Sequence, residues 1–200
     1  MKIFLDANVV AKPVTRTFLM YGGNFSGFNC VWSQTVEIEA TRHMPRRALH
    51  PADIRHRYGS TLSPRGVIGN RFNATSPSDR QILADAEASG VAFLITEDVD
   101  DFSDADLTAI SITAVNPDLF LFHELTAEGY RKTVELFARR FSSPSRTLDE
   151  VHQSIGRQHP LTYSRFRNLF SPADELSVRS PKTLLRGPLP KGWSPPAELV

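Results

Sequence analysis

The chain reads as an α/β domain on a central parallel sheet, followed by a helical extension. Three observations carry that class. Short apolar runs alternate with helix-forming stretches through the first half. The helices open on recognisable caps, such as Ser33 and the run Ser76-Pro77-Ser78-Asp79. Acidic residues follow closely on the ends of two apolar runs, at Asp6 and from Glu97 onward. The composition suits one domain of ordinary size with an extension: 200 residues, 40% hydrophobic and 22% charged.

In chain order, residues 2–5 form a short buried strand ending at Asp6. A second strand is expected over residues 29–32. Ser33 then caps a helix over residues 34–43, stopped by Pro45. The helix after Asp79 carries Ile82, Leu83 and Ala86 on one face and ends at Gly90. Residues 91–95 are expected as a third strand. Residues 109–115, rich in β-branched side chains, are expected as a fourth.

Beyond Pro117 the character changes. Residues 126–140 form an amphipathic helix with Tyr130, Val134, Phe137, Ala138 and Phe141 on one side. Ser142-Ser143-Pro144-Ser145 breaks it. Thr147, with Glu150 three residues later, opens a helix to about Ile155. Residues 163–170 are short, basic and aromatic. From Ser171 prolines are frequent and no period is visible, so an extended or partner-dependent tail is expected. This divides the chain into residues 1–122, 123–170 and 171–200.

Charge is unevenly placed. Residues 42–71 hold seven arginines against Asp53 alone, whereas residues 97–106 hold six acids and no base. Arginines neutralise phosphates, and clustered acids hold divalent cations; a solvated face is the plain alternative for either run. Cys30 is the single cysteine, which excludes an internal disulfide and a cysteine-based zinc cluster. No apolar run approaches the roughly 20 residues of a membrane helix. Asp6 would interrupt a leader's apolar core, so a cytoplasmic location is expected.

In an open parallel sheet, ligands gather beyond the carboxyl ends of the strands. Asp6, Glu39, Asp79 and the pair Asp98 and Asp101 come from four separate segments that can reach that edge. Carboxylates so gathered repel one another unless a cation lies among them, and Mg²⁺ or Mn²⁺ is the natural choice. Such a site activates water toward a phosphodiester.

The ordered set resembles the PIN-domain nucleases. It comprises Ile3-Phe4-Leu5-Asp6-Ala7-Asn8, Ser33 with Glu39, the run from Asp79 to Gly90, and Leu94-Ile95-Thr96-Glu97-Asp98-Val99-Asp100-Asp101-Phe102. The match spans residues 1–122. The resemblance implies a three-layer α/β/α domain and a metal-dependent endoribonuclease. Asp6 and Asp79 would be metal ligands, and Glu39 the second acid of the set. Asp98 and Asp101 both match positions of a further acid, and the choice between them stays open. Thr96 and Asn8 would orient these acids. Within the family the chain resembles VapC-type toxins, which cleave tRNA or rRNA, form homodimers and are silenced by an antitoxin. A housekeeping PIN ribonuclease and a nonenzymatic RNA- or protein-binding module are the alternatives. A strand-end aspartate also marks phosphatases and receiver domains, but Ala7-Asn8 lacks the second aspartate of the first and no lysine suits the second.

Under this interpretation the arginines shield incoming phosphates from the acids. Arg42, Arg46, Arg47, Arg55 and Arg57 are the candidate RNA contacts, with Arg65, Arg71 and Arg80 extending them. Tyr58 or Phe72 could stack on a base, with a core role equally open to Phe72. Glu37, Asp85 and Glu87 are expected to face solvent, and Cys30 to be a small buried hydrophobe. The motif-like stretches 146–152 and 156–160 carry no assigned chemistry.

Overall fold

The computed structural model describes residues 1–140, 145–170 and 183–196. The expected helix break at 142–144, Phe141, residues 171–182 of the proline-rich tail and its last four residues, 197–200, lie outside these residues. Among the described residues, five strands form one mostly parallel sheet in the order β2-β1-β3-β4-β5. The strands are β1 (Lys2–Leu5), β2 (Asn29–Val31), β3 (Phe93–Ile95), β4 (Thr113–Val115) and β5 (Leu185–Arg186). Ile3, Phe4, Leu5, Phe93, Leu94, Ile95, Ala114 and Val115 are buried. That burial on both faces explains why the strands read as continuous apolar runs and not as alternating ones.

The first four strands run parallel, so their carboxyl ends lie at one edge. The chain leaves β1 through two short helices, α1 (Ala7–Val10) and α2 (Pro13–Thr17), which no periodic pattern announces. After β2 comes α3 (Gln34–His43), with Ser33 as its cap. Next is α4 (Pro51–Arg57), opened by a proline in its first turn. Helix α5 (Arg80–Ala88) follows the serine-rich start and ends before Gly90, which holds a φ of 63°.

Three strand expectations are corrected. The segment starting at residue 109 is not a strand throughout. Residues Asp104–Ala109 form α6, because Ser103 accepts from the Ala105 amide and starts a helix. Ser111 then turns at a φ of 56°, and only Thr113–Val115 enter the sheet. Turn chemistry overrode β-propensity there. The third strand likewise covers only Phe93–Ile95 of the expected five residues. Trp32, expected within β2, instead forms a single bridge to Leu62.

Helix α7 (Pro117–Glu124) runs across residue 122 without interruption. Helices α8 (Ala127–Arg140), α9 (Leu148–Gly156) and α10 (Pro160–Phe166) follow. Helix α10 packs on α7, and α8 packs on the turn Phe18–Gly22. The latter contact is close: a Cβ on Gly129 would lie 2.7 Å from the Gly22 carbonyl oxygen. Val151, Ile155, Leu161 and Phe166 belong to the same hydrophobic cluster as the sheet. Thr147 and Glu150 form the reciprocal cap expected at the start of α9.

Part of the proline-rich tail is a strand of the sheet itself. β5 pairs antiparallel with β4. Trp193 is buried against Phe93, with ring centroids 5.3 Å apart, and donates its indole N–H to Glu124 at 2.9 Å. This cover removes the free edge that β4 would otherwise present.

Candidate functional site

The carboxyl ends of β1 and β3 place Asp6 and Thr96 side by side. The Asp6 amide donates to the Ile95 carbonyl at 3.0 Å, holding the two strand ends together. Asp6 caps α1 by accepting from the Ala7 amide at 2.6 Å. Its other oxygen accepts from the Thr96 hydroxyl at 2.7 Å. Thr96 in turn accepts from the Asn8 amide at 3.1 Å and from the Asp98 backbone N–H at 3.2 Å. Asn8 also donates to the Asp98 carboxylate at 3.0 Å and accepts from the Glu97 amide at 3.3 Å. Asp6, Asn8, Thr96 and Asp98 are thus one hydrogen-bonded network joining positions about ninety residues apart.

The remaining acids converge on it. Asp6 is pushed up to about 7, first by burial and further by the charges of Glu39 and Asp79, against the bonds from Thr96 and Ala7. Asp101 is also raised, by partial desolvation and by Asp79, Asp98 and Asp100. Asp79 therefore acts on both ends of the cluster. It stands at the start of α5, where its carboxylate accepts from the Ser76 and Ser78 hydroxyls. Glu39 is half-buried on α3, and Asp98 and Asp101 are exposed around the turn Val99–Asp101. All five candidate acids lie in one electrostatic neighbourhood. As the side chains stand, no three His, Cys, Asp or Glu side chains among the described residues are grouped to hold a metal ion. Hydroxyl and amide donors hold Asp6, Asp79 and Asp98 instead.

The arginines divide. Arg42 and Arg65 line a cleft of about 640 Å³ that also contains Glu39, Ser78, and the exposed apolar side chains Ile38 and Leu62. Arg46, Arg47 and Arg57 are exposed but do not line it. Arg55 is committed elsewhere, donating to Glu37 at 2.8 Å with both side chains largely buried. Arg71 forms a two-pronged pair with Glu87 at 2.7 and 2.8 Å. Phe72 is buried, which removes it as a stacking platform. Cys30 is buried as expected, and burial pushes its thiol up.

Two acids expected at the surface are buried. Glu37 accepts from the Trp32 indole at 3.1 Å as well as from Arg55. It shares the inward face of α3 with Val36 and Ala40, a spacing that could have identified it. Asp85 has no exposed surface. It accepts from the Gly66 amide at 2.8 Å and from Gln81 at 2.6 Å, tying the loop at residue 66 to α5. Gly66 is required there, since a Cβ would lie 1.9 Å from the Ala84 carbonyl oxygen.

A second cavity, of about 330 Å³, adjoins the acid network through Glu97. It is completed by His159 and Gln158, in a stretch to which the sequence assigned no chemistry. No helix among the described residues is long and apolar enough to cross a membrane. Comparison with protein-family models, curated proteins and solved structures finds no match.

Proposed function

We propose that the protein is a Mg²⁺- or Mn²⁺-dependent RNA endonuclease of the PIN type, with a three-layer α/β/α domain. The observation that carries this reading is Asp6: a carboxyl buried at a strand end, hydrogen-bonded by Thr96 and lying in the field of Glu39 and Asp79. A fold gains no stability from gathering like charges there. The donor chemistry fits a hard divalent cation, which prefers carboxylate and water oxygens. Asp6 and Asp79, with Asp98 or Asp101, would hold it, and Glu39 would bind its water shell. When bound, the ion would supply an activated water and charge stabilisation at a phosphodiester. Thr96 and Asn8 hold Asp6 and Asp98 in one hydrogen-bonded network, which would fix their orientation when the ion binds. Arg42 and Arg65 offset the acids' repulsion of an incoming phosphate.

The VapC-type assignment, with tRNA or rRNA as target, an antitoxin as inhibitor and a homodimer as the working form, rests on the sequence resemblance. The test is cleavage of total RNA by the purified chain with Mg²⁺ or Mn²⁺, beside EDTA, Asp6→Asn and Asp79→Asn. A discrete product that needs metal and both aspartates is expected, each variant lowering the rate at least about a hundredfold. RNA bound but uncut by folded, metal-supplied protein would favour a binding module.

A further inference from the structure

The 330 Å³ cavity beside the acid network is an open pocket lined from both halves of the chain. Lys12 and Thr15 come from the segment after β1, Glu97 from the end of β3, and Asn116 and Asp118 from the end of β4. Gln158 and His159, between α9 and α10, line a further side. We propose that this cavity is a nucleobase subsite, selective for guanine, for one nucleotide of the strand being cleaved; the proposal deepens the nuclease reading and rests on it.

The lining selects the ligand class by charge and hydrogen bonding. Asp118 is already satisfied, accepting from the Leu161 and Thr162 amides at 2.9 Å and from the Thr162 hydroxyl at 2.7 Å. His159 is buried, paired through Nε2 with Thr15 at 3.1 Å, and kept neutral at pH 7 because burial pushes it down to about 4. Asn116 Oδ1 is likewise committed, accepting from the Asp118 N–H at 2.9 Å. What remains for a ligand is the Lys12 ammonium, the Glu97 carboxylate, the Gln158 side-chain amide, the Asn116 side-chain NH2 and His159 Nδ1, a buried atom without a hydrogen-bond partner among the described residues. Lys12 and Glu97 pair with each other and cancel in charge. A phosphate would meet Glu97 as well as Lys12, and an apolar group would strip water from every polar partner. A neutral, planar group with donors and acceptors on one edge fits this set.

A nucleobase is such a group, and enzymes acting on RNA read splayed bases by their Watson–Crick edges. Guanine alone presents two adjacent N–H donors beside a carbonyl. Glu97 accepts from the two donors while Lys12 donates to the carbonyl. The Lys12 side chain is half-exposed, so its pair with Glu97 costs little to rearrange. Glu97 lies between Thr96 and Asp98, and its amide donates to Asn8. A base bound here therefore sets its own nucleotide beside the acids.

Isothermal titration of the full chain with AMP, CMP, GMP and UMP, in EDTA, tests this apart from catalysis. GMP is expected to bind about tenfold tighter than the others. Glu97→Gln should abolish the preference, Lys12→Gln should weaken GMP, and Gln158→Ala should weaken it by a smaller factor. Melting curves establish that each variant is folded. No binding, equal binding of the four, preference for another base, or a preference unchanged in both Glu97→Gln and Lys12→Gln overturns the proposal. RNA cleavage without GMP binding removes the subsite and leaves the nuclease. GMP binding that depends on Glu97, with no cleavage under Mg²⁺ or Mn²⁺, removes the nuclease and leaves the subsite.

Discussion

Asp6 and Asp118 occupy matching places, one just beyond β1 and the other just beyond β4, and they do opposite work. Both are buried, and burial raises both carboxyls. Asp118 is surrounded by donors from the start of α10 and fastens the extension to the sheet. Among the described residues Asp6 accepts from Ala7 and Thr96 alone, and Glu39 and Asp79 press further on its charge. Burial alone therefore does not mark a functional acid. The two differ in what surrounds them: donors make Asp118 a fastener, whereas neighbouring acids leave Asp6 a charge that a proton, or a cation if one binds, relieves.

Removing the fastener should have the largest effect. Asp118→Ala leaves the Leu161 and Thr162 amides without their acceptor and the Thr162 hydroxyl with the Asp118 backbone carbonyl at 3.2 Å, and should cost about 4 kcal/mol. Urea denaturation measures it, and loss of α10 should appear as reduced helical circular dichroism. An effect below about 1 kcal/mol would erase the contrast with Asp6.

The neighbouring His159 gives that region its own pH signature. Its folded value of about 4 lies below the ordinary 6.5, so the fold favours the neutral ring. That stability is present above pH 6.5 and is lost as pH falls toward 4, about 3 kcal/mol in all. Denaturation midpoints across this window should show the slope, and His159→Asn should flatten it.

Asp6 should respond in the other direction. Its folded value of about 7 lies above the ordinary 3.8, so the fold favours the protonated acid. Stability from this group is full below pH 3.8 and declines as pH rises through 7. Asp6→Asn should therefore gain about 2 kcal/mol at pH 8, after the lost bond from Thr96 is counted. No gain is expected at pH 3.5. Mn²⁺ should raise the melting temperature of the wild type at pH 8 and leave Asp6→Asn unchanged, which differential scanning calorimetry would read.

The smallest effect is local to the extension. Thr147→Ala removes the cap of α9 and should cost about 1 kcal/mol by thermal melting, with RNA cleavage unaltered.

Much of this molecule is legible in its residues alone. Ser33, Ser76 to Asp79 and Thr147 with Glu150 mark three helix starts, because caps are encoded within four residues. The apolar runs at residues 3–5 and 93–95 mark the central strands. Of the five candidate acids, Asp6, Asp98 and Asp101 stand out by their position after strands and Asp79 by opening a helix, whereas Glu39 lies mid-helix and is marked only by its spacing from Ser33. Less legible are α1, α2 and α4, too short to show a period, and the residues Glu37 and Asp85. Those two acids look like any surface acid until Trp32, Arg55, Gly66 and Gln81 are brought against them.

Local pattern and residue chemistry suffice for the α/β class and the main helix caps. Other features needed the folded chain: that residues 185–186 close the sheet, that Glu37 and Glu87 engage Arg55 and Arg71, and that His159 lies beside Lys12 and Glu97. Those facts depend on contacts between residues far apart in the chain. A side chain's charge is written in the sequence; whether it meets a donor, a like charge or water depends on which distant segment folds against it.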